Sequence, residues 1–264
     1  MESFKRKLMK PGKVLPILIL IVFTVSCASS QARMEKKRAK DFQDQYELAL
    51  VAMRYSMPDE AIRYLNNAIS LDPSHQPSYF LLGLAHSEKK SYKEAAAAFE
   101  KSLELKPDDS EARIRLGDVY RQMGLFEKAE EEYKKAFALD ESSVAGFNLA
   151  LLSYEQDKLD QALEYVQTLT QKGSQSVDVY NLQGVILNKL RRYPEAIESF
   201  QGALKIDPNH AVAAINLAVA HINNNELNKA RDVLSRILPF VQDQELKDKI
   251  TEYLKKIKEL SKKY

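Results

Sequence analysis

The chain has 264 residues, 45% of them hydrophobic and 29% charged, with a formal net charge of +2. That is length enough for one large domain or an array of small ones, with apolar residues enough for a sizeable core. The single cysteine, Cys27, excludes an intrachain disulfide framework and a cysteine-built zinc site, and the near-neutral charge gives no electrostatic case for nucleic acid. Trp is absent, Gly is scarce, and Ala, Leu, Glu and Lys dominate, which is helix-forming composition.

The first element is an export signal. MESFKRKLMKPGK is a basic leader, and residues 1–26 carry a net +4 that leaves −2 on the remainder. VLPILILIVFTVS follows, thirteen uncharged residues. That suits the short apolar core of a secretory signal peptide. A membrane span needs about 20 such residues and this run is shorter; an uncleaved anchor is the alternative reading. The run ends in FTVSC, which resembles the lipobox of bacterial lipoproteins. The resemblance implies that the Cys27 thiol is joined to a diacylglycerol, that residues 1–26 are removed, and that the new amine is acylated. Several acyl chains are needed because one gives only marginal membrane binding. Ala28, where inner-membrane lipoproteins of enteric bacteria often carry Asp, leans towards the outer membrane. Residues 27–41 read as the lipidated cysteine and a short tether. Arg33, Lys36, Lys37, Arg38 and Lys40 suit either anionic headgroups or a solvated first helical turn.

The body is a repeat. Ala61, Ala95, Ala129, Ala162, Ala196 and Ala230 stand 34, 34, 33, 34 and 34 residues apart. Twelve residues before each lies a small residue: Ala49, Gly83, Gly117, Ala150, Gly184 and Ala218. This resembles the tetratricopeptide repeat, whose small residues fall at its positions 8, 20 and 27. The resemblance covers residues 42–242 as six units: 42–75, 76–109, 110–142, 143–176, 177–210 and 211–242. It implies an all-α fold, a right-handed α-solenoid of helix-turn-helix repeats. Large apolar residues at position 24 (Leu65, Phe99, Tyr133, Val166, Phe200 and Leu234) are expected between the paired helices. Pro73, Pro107 and Pro208 end second helices, because proline cannot continue them. Repeat four departs: it is one residue short, carries Leu169 at position 27, and ends in TLTQKGSQSVD. Gly173 is expected to cap its second helix, with a local change of superhelical twist near residues 169–177. Repeat six carries Ile237 at position 27, which marks the end of the array. Residues 243–264 place Leu246, Ile250, Tyr253, Leu254, Ile257 and Leu260 on one stripe, the pattern of an amphipathic capping helix. A separate partner-binding or membrane-surface helix is the other reading.

No catalytic constellation emerges. His75 and His210 fall in turns before a repeat, and His86 and His221 occupy position 11, where Tyr usually packs. There is no Gly-rich phosphate loop, no G-x-S-x-G and no HExxH. The chain reads as a non-enzyme with no cofactor and no metal. In the family it resembles, function lies in the concave groove formed by first-helix positions 2, 5, 6, 9, 12 and 13. Repeat two supplies Phe80, Leu81 and Leu84, and repeat three Arg115, Asp118 and Arg121. Repeat four supplies Phe147, Asn148, Leu151 and Tyr154, and repeat five Asn181, Leu182, Val185 and Asn188. The apolar middle suits a peptide or amphipathic helix, so protein partners are expected. Asn148 and Asn216 sit where the family itself carries Asn. The carboxylate clamp of chaperone-tail-binding repeats is missing, since position 5 reads Tyr46, Phe80, Ile114, Phe147, Asn181 and Ile215.

A lipobox, a short tether and six such repeats together resemble the type IV pilus biogenesis lipoproteins, the pilotins. They escort a secretin subunit to the outer membrane and help it multimerise. The alternative is a general periplasmic scaffold that organises cell-wall enzymes or other envelope complexes.

Overall fold

The computed structural model describes residues 14–140 and 143–261, with side chains from Ser30 onward except at position 140. The basic leader and the Cys27 side chain, and with them the signal-peptide and lipidation readings, lie outside the described residues. The described chain is helical throughout, without a strand, and divides into two compact units, Met1–Pro107 and Asp108–Tyr264. Among its described residues no helix is long and apolar enough to cross a membrane.

The first unit holds α1 (Val14–Arg54), α2 (Pro58–Leu71), α3 (Gln76–Glu88) and α4 (Tyr92–Leu105). The second holds α5 (Ser110–Gln122), α6 (Phe126–Asp140), α7 (Ser143–Glu155), α8 (Leu159–Gln171), α9 (Val177–Lys189), α10 (Tyr193–Ile206), α11 (Ala211–Asn223), α12 (Leu227–Ile237), a 3-10 turn over Leu238–Phe240, and α13 (Gln244–Leu260). Within each unit every odd-numbered helix packs on the even-numbered one that follows it, from α1 on α2 to α11 on α12. Residues 30–40 are helical in α1 and exposed.

Local chemistry accounts for the boundaries. In α2, Pro58 presets the first turn, Asp59 and Glu60 face the positive end of the helix dipole, and Ala61, Leu65 and Ala68 form the buried stripe. Asp109, Ser176 and Asp243 accept backbone N–H groups at the starts of α5, α9 and α13. His210 does the same for α11, its Nδ1 accepting from the Ala213 amide at 3.1 Å. Each first helix stops on a left-handed residue: Ser56, Lys90, Gly124, Asp157, Arg191 and Asn225, with φ between 51° and 73°. At every one the next amide reaches back five residues and the left-handed residue's own amide reaches back three, as in Ser91 N–H to the His86 carbonyl and Lys90 N–H to that of Ser87. These are six Schellman turns in register. A seventh closes α8 on Gly173 (φ 82°), where repeat four lacks the proline stop.

The helices pair through volume matching at two positions. A Cβ on Gly83, Gly117 or Gly184 would stand 2.6, 2.5 and 2.5 Å from the rings of Phe99, Tyr133 and Phe200. Each aromatic ring therefore occupies the space a methyl would need. The other three repeats keep alanine there, Ala49, Ala150 and Ala218, and carry the smaller Leu65, Val166 and Leu234 opposite. All six of these residues are buried. Glycine goes with an aromatic ring and alanine with an aliphatic chain, which fills the gap to the density expected of a protein core.

Two clusters stand out in the core of the second unit among the described residues. One joins Val166, Leu169, Val179, Leu182, Ile186 and Phe200 across repeats four and five. The other joins Ala218, Leu234, Ile237 and Val241 to Ile250 and Ile257 of α13, which lies against α11 and α12. Arg113 and Glu132, both largely buried, pair at 2.7 Å between α5 and α6.

Candidate functional site

The expected groove residues fall in both units. Phe80, Leu81 and Leu84 project from α3 and are half-buried, with the Phe80 ring edge-on to Phe99 at 5.7 Å. The rest lie on α5, α7 and α9, whose neighbours touch side by side, as α9 does α11.

Along these first helices a polar ladder links one repeat to the next. The Asn148 amide donates to Asp118 at 3.1 Å, and the Tyr133 hydroxyl donates to the same carboxylate oxygen at 2.7 Å. Arg121 pairs with Glu155 at 2.7 Å. Asn216 donates to Asn181 at 3.0 Å, and Asn223 to Asn188 at 3.1 Å. Asp118, Asn148, Asn181 and Asn188 thus hold adjacent repeats together. Asn148 and Asn216, expected from the family pattern, are both donors in this ladder. Glu155 and Asn223, the partners of Arg121 and Asn188, were not singled out from sequence. Pairs of asparagines 35 residues apart are the signal that marks two of these rungs.

Burial pushes the Asp118 carboxyl above the usual carboxylate range, while the Tyr133 hydroxyl and the nearby Arg115 and Arg121 pull it back. Burial and the adjacent carboxylate push the Tyr133 phenol far above its ordinary value, so it remains a donor. Arg115 reaches Glu111 at 3.4 Å and stays exposed. Together with Val144, these α5 and α7 residues border a shallow cavity of about 630 Å³. One end of the face is therefore charged.

The middle of the face is apolar. Phe147, Leu151, Tyr154 and Val185 are half-buried and pack over the repeat-four and repeat-five core. Lys189 lies over the Tyr154 ring at 5.0 Å and pairs with Asp157 at 2.7 Å. Leu182 is withdrawn: it is 7% exposed and belongs to the core. Its position points between helices, where no partner reaches it.

The histidines have structural neighbours. His75 meets Phe42 and Tyr46 edge-on and lies 2.9 Å from the Ser78 hydroxyl. Burial lowers its pKa and that of His86. His221 is buried and 2.6 Å from Glu226. Among the described residues no group of three or more His, Cys, Asp or Glu is placed to hold a metal.

Helix pairs repeated in register, with a mixed apolar and polar face on the first helices, define an α-helical repeat protein. Two tetratricopeptide repeat models match, one over residues 46–110 and 147–211 and the other over 86–142 and 187–250. The chain belongs to the tetratricopeptide repeat family. It is 23% identical over 242 residues to a TPR repeat-containing protein, MJ1428, of Methanocaldococcus jannaschii, covering 75% of this chain and 42% of that one. The chain thus spans less than half the length of this curated relative. Among solved structures it resembles PilW, a widely conserved type IV pilus biogenesis factor, with a TM-score of 0.65, 16% identity, and 78% and 97% of the two chains covered. It also resembles YrrB, a TPR protein with an unusual peptide-binding site, with a TM-score of 0.56, 21% identity, and 71% and 97% covered. At these identities the likeness is one of fold.

Proposed function

We propose that this protein is a non-enzymatic, lipid-anchored scaffold of a bacterial envelope. It is held through Cys27 and faces the periplasm from the outer membrane. Its first helices take a peptide or amphipathic helix, and its partner is the secretin of a type IV pilus, whose outer-membrane assembly it assists. The carrying observation is a conjunction. A leader that ends in a lipobox-like FTVSC precedes a repeat array matched in fold by 97% of the PilW chain. The apolar Phe147, Leu151, Tyr154 and Val185, bordered by Arg115 and Arg121, offer an amphipathic partner both a greasy seat and a charged edge.

The test is genetic and simple. In a strain lacking the gene, the secretin is run on an unheated gel. Loss of its multimers, restored by the intact gene, is the expected result, and unchanged multimers overturn the secretin assignment. Charge substitutions at Phe80, Leu84 and Phe147 are expected to abolish partner capture with helical content intact. Palmitate labelling of cells is expected to depend on Cys27, and normal labelling of Cys27→Ala overturns the anchor. A second reading is a general periplasmic scaffold for cell-wall enzymes or other envelope complexes. It predicts intact secretin with other complexes disturbed.

A further inference from the structure

The other side of the second unit carries a cleft that the first-helix reading does not use. It runs between α10 and α12 with a volume of about 620 Å³. Its floor is apolar, made by Leu204, Ala214, Leu217, Val233 and Ile237.

The cleft exists because one position changed. In repeat five, Tyr180 fills the corresponding space, and a Cβ on Gly202 would stand 2.8 Å from its ring. In repeat three the equivalent of Tyr180 is Arg113, which turns to Glu132. In repeat four it is Gly146, over which Leu169 and Phe137 close: a Cβ there would meet them at 2.9 and 3.1 Å. In repeat six it is Ala214, and Arg236 stands where Gly202 does. No side chain reaches across: the partly buried Leu204 and Val233 line the trough, over the buried Ala214, Leu217 and Ile237.

The rim has a definite sign. Lys205 on α10 and Arg236 on α12 stand on opposite walls, and neither has an ion-pair partner among the described residues. Lys229 and Asp232 are already paired, with Glu226 at 2.8 Å and Arg231 at 3.4 Å. Phe240, 58% exposed, closes one end. An unsatisfied cation on each wall of an apolar trough suits an apolar side chain flanked by carboxylates on both sides.

We infer that this cleft is a second docking site, independent of the first-helix face, and that its occupant is an acidic peptide segment anchored by a large apolar side chain. The probe is a fluorescein-labelled synthetic peptide in which glutamates flank leucine and phenylalanine, titrated into the full chain by fluorescence polarisation. A lysine counterpart and laurate are run beside it. The acidic peptide is expected to bind, more weakly as salt rises. Lys205→Glu with Arg236→Glu is expected to weaken it by about tenfold or more and to reverse the preference towards the lysine peptide. Ala214→Tyr with Arg236→Gly, which recreates the Tyr180–Gly202 pair of repeat five, is expected to abolish binding. Phe147→Asp on the opposite side is expected to leave it unchanged. Because the two rim residues are at the surface, the charge reversal stands even if Ala214→Tyr with Arg236→Gly fails to fold. Absence of binding, equal binding of the lysine peptide, or indifference to the charge reversal overturns the proposal. So does uptake of laurate without the peptide.

Discussion

The sixth repeat and the first share one residue register and end differently. In repeats three, four and six, first-helix positions 3, 7 and 10 are buried: Ala112, Leu116 and Val119; Ala145, Leu149 and Leu152; Ala213, Leu217 and Ala220. Their counterparts in repeat one are Asp44, Leu48 and Val51, and all three are exposed, with Tyr55 one turn further on 70% exposed. Repeat six, at the other end, is covered by a helix outside the repeat register: α13 turns Ile250 and Ile257 inward against Ile237 and Val241. The lesson is that the pattern places an apolar side chain, while only a neighbour buries it. A repeat cannot bury both of its faces alone, and α13 supplies the missing neighbour at one end.

The most forceful way to break this comparison is to make matched substitutions at the two ends. Ile250→Ala removes a fully buried side chain from the seal and is expected to cost about 2–5 kcal/mol. Val51→Ala, at a half-exposed site in the first repeat, is expected to cost no more than about 0.5 kcal/mol. Urea unfolding followed by circular dichroism reads both. Equal costs would show that the first repeat's outer face is covered in solution.

A middle-sized effect separates the end repeats from repeats two, three and five. Both end repeats match alanine with leucine, Ala49 with Leu65 and Ala218 with Leu234, whereas Gly117 and Gly184 face rings. Gly184→Ala is expected to cost about 1–3 kcal/mol by overpacking against Phe200. Adding Phe200→Leu, which recreates the pairing of the end repeats, is expected to recover part of that loss. A double-mutant cycle in urea measures the coupling, and strictly additive costs would refute volume matching.

How far the sequence discloses this follows from the same residues. The period was legible because Ala61 and its five counterparts must be small for helices to touch, and composition cannot hide that constraint. Gly173 was legible as a cap because glycine favours positive φ. The turns at Lys90 and Arg191 were not legible, since nothing about a lysine or arginine announces a left-handed backbone; the two helices they join impose it. The groove was legible as positions and only partly as a surface. Leu182 turned inward, and Asp118, Asn181 and Asn188 proved to be rungs between repeats, because a position in a register does not say which neighbour a side chain meets. The α10–α12 cleft comes from a single alanine, Ala214, whose significance is visible only beside Tyr180.

A smaller difference lies in the turns. Repeat one places Ser56 at φ 51° and repeat six places Asn225 at φ 59°. Asparagine tolerates this region far better than serine. Ser56→Gly is therefore expected to stabilise by about 0.5–1 kcal/mol, and Asn225→Gly to change little. Thermal unfolding of the two variants checks the ordering, and a larger gain at Asn225 contradicts it.

The smallest effect is electrostatic and confined to the capped end. Hydrogen bonds from Lys229 and then His221 hold the Glu226 carboxyl down to about 2, against an ordinary value of 4.5. In repeat one the counterparts of His221 and Glu226 are Ala52 and Met57, which do not titrate. The sign follows from the lowered value. Between about 2 and 4.5 the unfolded chain takes up a proton that the folded chain does not, so acid favours unfolding. The contribution of Glu226 is present above pH 4.5 and is lost as pH falls towards 2. Its carboxylate is partly exposed, so salt weakens the effect. Glu226→Gln is expected to flatten the acid limb of a stability–pH profile and to leave the limb above neutrality unchanged. An acid limb that keeps its slope in the variant places the sensitivity elsewhere, on carboxylates that both ends share.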